Sequence, residues 1–205
     1  MTLLLLIRHG QTTWNAERRL QGQKDAPLTE TGVRQAQAVA ERLADVVFSA
    51  VYTSDLGRAY HTAEIVNRPH GLPLIPRRGL REVHLGAWEG RTAGELGQNE
   101  SEADLLAKWR QDSVANRPPG GERLEELQAR VIEELEGIAR EHPEGKVAVV
   151  THGGVIKAAV SWVLDLPLGN QRRFEIGNGS VTQIEWGSGC SLLVTLNDRS
   201  HWKKL

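Results

Sequence analysis

Leu3-Leu4-Leu5-Leu6-Ile7-Arg8-His9-Gly10 is the stretch on which the fold turns. Five consecutive apolar residues are strand length. A run with no polar alternation reads as a strand covered on both faces, as in a parallel α/β sheet. The run stops at a guanidinium, an imidazole and a glycine. In an open α/β sheet, the carboxyl ends of the strands are where ligands bind. Arg8 offers a planar fork of donors suited to phosphate oxygens. His9 offers a nitrogen that serves as base or nucleophile near neutral pH. Gly10 lets the backbone turn and approach a bound group. Taken alone, the tripeptide equally fits a strand that ends at the surface beside a loop histidine.

A second run with the same design lies far along the chain. Lys146-Val147-Ala148-Val149-Val150-Thr151 ends in His152-Gly153-Gly154 and enters a helix marked by Val155, Ile156, Ala159 and Val163. A glycine-rich strand-to-helix turn aims backbone N–H groups and the positive end of a helix at an anion. Between the two runs the apolar spacing predicts a helix capped by Thr29 and carrying Val33, Ala36, Ala40 and Leu43. It also predicts a strand over 48–53, and a helix capped by Ser54-Asp55 through Leu56, Ala59, Ala63 and Val66. Arg58 falls in the first turn of that helix. Leu72–Ile75, with Pro73, suits an edge strand. The polar residues 11–27 read as an irregular loop with a short turn. Residues 80–90 read as a loop holding Glu82, His84 and Glu89; spacing favours Glu82 pairing with a nearby arginine, while a loop carboxylate beside a site can also act as a proton donor. Residues 91–117 are polar and helical, with Leu105, Leu106 and Trp109 as anchors, and Pro118-Pro119-Gly120-Gly121 ends them. A long helix with Leu124, Leu127, Val131, Leu135 and Ile138 follows. Ser180–Trp186 and Ser191–Asn197 form an antiparallel hairpin around Gly187-Ser188-Gly189.

The whole has 205 residues, 40% hydrophobic and 25% charged, with a net charge of −1. That is the size of one domain. The charge balance argues against bulk electrostatic binding of nucleic acid. A lone cysteine, Cys190, allows neither an intrachain disulfide nor a cysteine metal cage, which fits a reducing, cytoplasmic setting. The Leu3–Ile7 run is too short for a membrane span, and no membrane partner is expected. The six tryptophans and the end Trp202-Lys203-Lys204 suit either packing or a contact between two copies, so a homodimer stays open.

Four segments together resemble the histidine phosphatase superfamily, also called the phosphoglycerate mutase-like family. They are Arg8-His9-Gly10 with Thr12, Asn15 and Leu28-Thr29-Glu30-Thr31-Gly32; Ser54-Asp55-Leu56-Gly57-Arg58-Ala59 with Thr62-Ala63; Leu80-Arg81-Glu82 with Gly86, Trp88, Glu89 and Gly90; and Thr151-His152-Gly153-Gly154. The resemblance implies one domain over 1–205, a three-layer α/β/α fold with a mostly parallel mixed sheet and a small helical lid over about 91–121. It implies that His9 takes a phosphoryl group, that Arg8, Arg58 and His152, with Gly153, bind phosphate, and that Glu82 passes the proton. It implies that Asn15 edges the pocket and that Gln21-Gly22 contact a small phosphorylated metabolite, without a metal or other cofactor. The mutases of the family usually carry Glu-Arg-His-Tyr-Gly where this chain has Glu82-Val83-His84-Leu85-Gly86, and a longer insertion after it. The chain therefore resembles the phosphatase branch, with a bisphosphoglycerate-dependent mutase as the alternative and a non-catalytic phosphate-binding module as a third reading. Gly120-Gly121-Glu122-Arg123 departs from relatives that have serine after the glutamate. Whether Gly177-Asn178-Gly179-Ser180 reaches the site is open.

Overall fold

The first apolar run is buried because helices cover both of its faces. In the computed structural model, which describes residues 1–187 and 189–204 and only the backbone of Lys203 and Lys204, the run forms β1 (Thr2–Arg8). The chain continues through α1 (Thr13–Ala16), α2 (Glu30–Leu43), β2 (Ala50–Ser54), α3 (Gly57–Val66), β3 (Leu74–Arg77), α4 (Ala93–Leu96) and α5 (Glu100–Gln111). It ends with α6 (Leu124–Glu141), β4 (Lys146–Thr151), α7 (Gly153–Val163), β5 (Val181–Trp186) and β6 (Leu192–Asp198). The six strands lie in the order β3-β2-β4-β1-β5-β6. β3, β2, β4 and β1 are parallel, and β5 runs against both of its neighbours.

Side chains alternate across the strands, so each face collects its own core. Leu4, Leu6, Val147 and Val149 pack with Leu127, Val131, Leu135 and Ile138 of α6 and with Val155, Ile156 and Ala159 of α7. Leu5, Ile7, Ala148 and Val150 pack with Val39 and Leu43 of α2 and with Ala59, Ala63 and Val66 of α3. This is the three-layer α/β/α arrangement with a mixed, mostly parallel sheet. Each fully buried aliphatic side chain contributes about 1.5–3 kcal/mol. A smaller cluster of Trp88, Leu96 and Leu106, joined by Leu20, Leu105 and Trp109, packs α4 and α5 at the carboxyl ends of the strands.

Several local expectations shift. The second strand begins at Ala50 rather than Phe48, whose ring packs under α2 and α3. The edge strand is Leu74–Arg77 and holds Pro76, tolerated because no strand pairs beyond it. The polar loop contains a real helical turn, α1, held by reciprocal bonds between Thr12 and Asn15. The cap of α3 is not Ser54-Asp55. Asp25 takes the Gly57 N–H and the Arg58 N–H (3.3 Å) from far upstream. Asp55 instead grips Arg81 by two 2.7 Å bonds. At α6, Arg123 stands at the cap position without a side-chain acceptor, and the Glu126 carboxylate accepts the Arg123 N–H (2.8 Å). Trp202 packs beside the Gly179 turn. The Lys203 and Lys204 side chains and Ser188 of the hairpin turn lie outside the described residues.

Candidate active site

Strand register places the two histidines side by side. β1 and β4 are parallel neighbours with Arg8 opposite Thr151, and the His9 N–H donates to Thr151 O (2.9 Å). The next residues are then abreast: the His9 and His152 rings meet edge to face, 5.2 Å between centroids and 61° apart. Gly10 is needed here, since a Cβ on it would lie 2.3 Å from Gly32 O in the first turn of α2. His9 Nδ1 lies 2.7 Å from Gly10 O. A carbonyl only accepts, so Nδ1 carries the hydrogen and Nε2 keeps a free lone pair. Burial, then Arg58, then Arg8 push the His9 pKa well below the usual histidine range, and His9 is neutral. His152 is shifted the same way by burial, then Arg58, His9 and Arg8.

Arg58 is buried and Arg8 half-buried, and both are steered by backbone. Arg58 donates from Nη1 to Lys24 O (2.8 Å) and Asp25 Oδ1 (3.0 Å), and from Nη2 to Gly22 O (2.7 Å). Arg8 Nη1 donates to Ile176 O. Burial lowers both guanidinium pKa values, and the nearby Glu82 opposes that. Among the described residues Arg8 Nε, Arg58 Nε and His152 Nδ1 have no hydrogen-bond partner, although all three are buried. A buried polar atom left unpaired costs about 1–3 kcal/mol. Three such nitrogens around one imidazole call for an acceptor-rich anion.

Among the described residues no arginine forms an ion pair with Glu82. Its Oε1 accepts the Val83 N–H (3.0 Å) and the Gly154 N–H (3.1 Å), and Oε2 lies 3.2 Å from the same Gly154 nitrogen. The open N-terminal N–H of α7 is thus spent on a side chain of this protein rather than left free in the pocket. A Cβ at Gly154 would fall 2.2 Å from Glu82 Oε1. Glu89, the other carboxylate of this loop, accepts from the backbone of Gln23 (2.8 Å) and Leu85 (3.0 Å) and fastens the loop.

One cavity of about 530 Å³ joins these groups. Arg8, His9, Arg58, Glu82 and Gly153 form its floor, with Asn15, Gln21 and Gly22 at one side. His152 has no exposed surface and is not itself a lining residue; its ring packs edge to face against that of His9, which is. The turn at 177–180 does reach the site: Gly179 N–H donates to Arg8 O (3.0 Å), and Asn178 Nδ2 to His9 O (3.1 Å) and Asn15 Oδ1 (3.1 Å). The outer wall comes in part from the lid expected over 91–121, which supplies Trp109 and Ser113; Lys157 of α7, and Gln171, Arg172 and Glu175 in the segment after α7, were not anticipated. Lys157 lies one helical turn beyond Gly153, a spacing that could have flagged it; the residues after α7 carry no period. Among the described residues no group of three His, Cys, Asp or Glu side chains is arranged to hold a metal, and no helix is long and apolar enough to cross a membrane.

The model of the histidine phosphatase superfamily (branch 1) matches residues 4–199. The probable phosphoglycerate mutase GpmB of Escherichia coli is 36% identical over 98% of this chain and 95% of its own. Among solved structures, YhfR of Bacillus stearothermophilus aligns with a TM-score of 0.93 at 39% identity, over 98% of this chain and 99% of that one. The alpha-ribazole phosphatase of Shigella flexneri aligns at 0.87 and 30% identity, over 96% of each chain.

Proposed function

The chain belongs to the histidine phosphatase superfamily, and we propose that it is a phosphomonoesterase that hydrolyses small phosphorylated metabolites through a phosphohistidine on His9. The observation that carries this is the set of three buried, unpartnered nitrogens on Arg8, Arg58 and His152 beside a neutral His9. Phosphoryl transfer asks mostly for positioning and for positive charge around the three equatorial oxygens. Arg8 and Arg58 supply both, neutral His152 adds a polar contact without charge, and Gly153 lets the substrate approach the Arg8 side. The His9 Nε2 lone pair attacks phosphorus, and the bond from phosphorus to the ester oxygen breaks. Glu82, protonated, gives its hydrogen to the departing oxygen. Water then attacks the phosphohistidine while Glu82 takes the water proton, so His9 and Glu82 return to their starting states. Asn15, Gln21 and Gly22 contact the substrate beside the phosphate, and the outer wall contacts the remainder.

Hydrolysis is favoured by likeness to the alpha-ribazole phosphatase of Shigella flexneri and by a third segment unlike the mutase pattern. A mutase reading rests on the likeness to GpmB. A purely phosphate-binding role is disfavoured because the nucleophile, proton donor and both guanidiniums are all present. Incubation with p-nitrophenyl phosphate and with 3-phosphoglycerate, side by side, tests the proposal. Phosphate release from either supports it; isomerisation without release makes the chain a mutase. A chain that gains no acid-labile label on His9 from any phosphate ester is a binding module.

A further inference from the structure

Among the described residues Ser54, the last residue of β2, is the one side chain hydrogen-bonded to His152. His152 Nε2 and Ser54 Oγ are 2.8 Å apart, and neither residue has exposed surface. Ser54 Oγ also accepts the Leu56 N–H at 3.3 Å. Among the described residues no other acceptor lies within reach of the Ser54 hydroxyl hydrogen. Two arrangements of hydrogens are therefore open. If His152 carried its hydrogen on Nε2, the Ser54 hydroxyl hydrogen would be buried with nothing to accept it, and the Nδ1 lone pair would also lack a partner. If Ser54 donates to Nε2, the hydroxyl is fully used and the one remaining atom is Nδ1, now an N–H. The second arrangement leaves fewer buried polar atoms unmet.

We propose that Ser54 is a positioning residue that sets the tautomer of His152, so that Nδ1 presents a hydrogen to the phosphoryl oxygens. This rests on the phosphatase reading for its consequence, but not for the tautomer itself. The two histidines then have parallel logic with different outcomes. Gly10 O fixes the hydrogen of His9 on Nδ1 and frees Nε2 to attack. Ser54 removes the Nε2 lone pair of His152 from play and makes its other nitrogen a donor. With the wrong tautomer, a lone pair would face the anion instead of a hydrogen.

Long-range proton–nitrogen NMR of the full chain labelled with ¹⁵N-histidine, without ligand, reads the tautomer directly. His152→Gln identifies the signal. The expected result is a hydrogen on Nδ1 of His152 in the wild type, and an Nε2-protonated or mixed state in Ser54→Ala. Binding of inorganic phosphate should weaken about tenfold in Ser54→Ala, the loss of roughly one hydrogen bond to an anion. Ser54→Thr, which keeps the hydroxyl, should restore both the tautomer and the affinity. An Nε2-protonated His152 in the wild type overturns the assignment whatever any variant does. So does a Ser54→Ala protein whose tautomer matches the wild type. Correct tautomers without turnover of any phosphate ester support this assignment and count against the phosphatase proposal alone.

Discussion

The two ends of the cavity are built in different ways. At the floor, His9 and Arg58 are buried and Arg8 and Glu82 half-buried, and backbone from distant parts of the chain holds three of them: Arg58 by Gly22 and Lys24, Arg8 by Ile176, Glu82 by Gly154. At the mouth, Gln171 is buried, but Trp109, Ser113, Lys157, Arg172 and Glu175 are partly or fully exposed. Arg172 lies over the Trp109 ring at 5.3 Å, and Lys157 over Phe174 at 5.8 Å. The floor is a rigid receptor for one group shape. The mouth is a set of contacts that can be exchanged without disturbing the sheet. Chemistry shared by a family resides in the first kind of region, and choice of substrate in the second.

Variants at the two ends should separate cleanly. His9→Ala is expected to remove hydrolysis of every ester, a fall of at least about 10⁴-fold, together with the acid-labile label, while circular dichroism stays native. Arg58→Ala should lower kcat/KM by about 10²–10³. It should also raise the pH of the acidic limb of the profile, because Arg58 is the foremost charge holding the His9 pKa down. An equal loss from mouth variants would break the contrast. Acid stability reports on the floor as well. His9 and His152 are held neutral in the fold, with pKa values depressed by burial first. The unfolded chain titrates near about 6.5. Stability is therefore full above that pH and falls as pH drops below it, since the unfolded chain then takes up more protons. Urea midpoints should decline from pH 7 to pH 5, and the double variant His9→Gln, His152→Gln should flatten that decline. At the mouth, Lys157→Ala should change kcat/KM less than about tenfold for p-nitrophenyl phosphate, and more for esters bearing a second acidic group. The smallest effect is expected away from the cavity. Arg123→Ser gives α6 a side-chain acceptor and should add about 0.5–1 kcal/mol of stability with activity unchanged.

The floor was largely legible in the sequence, and of the mouth only the lid over 91–121. Two apolar runs ending in histidine and glycine announce themselves locally, and parallel pairing does the rest. Arg58 falls in the first turn after a strand, where spacing alone favours an exposed helix arginine; only the family resemblance singles it out. What brings it to His9 is less visible, because Asp25 caps that helix from a different loop and no spacing rule connects them. Glu82 and Glu89 look alike in sequence; only their partners, the α7 N-terminus and the loop backbone, tell them apart. Ser54 reads locally as a helix cap, and its partner His152 lies at the end of another strand. The mouth draws side chains from α5, α7 and the segment after α7, with no shared period to group them.

The central place of β4, between β2 and β1, bears on how the molecule is made. A nascent chain that has emerged only as far as α6 possesses β1 and β2 but nothing to join them, and one imidazole of the pair has not yet emerged. The two strand tips can therefore meet only once residues beyond Thr151 clear the ribosome and insert. Until then the growing polypeptide leaves both edges of β1 and one edge of β2 unpaired, the period in which a chaperone has most to protect.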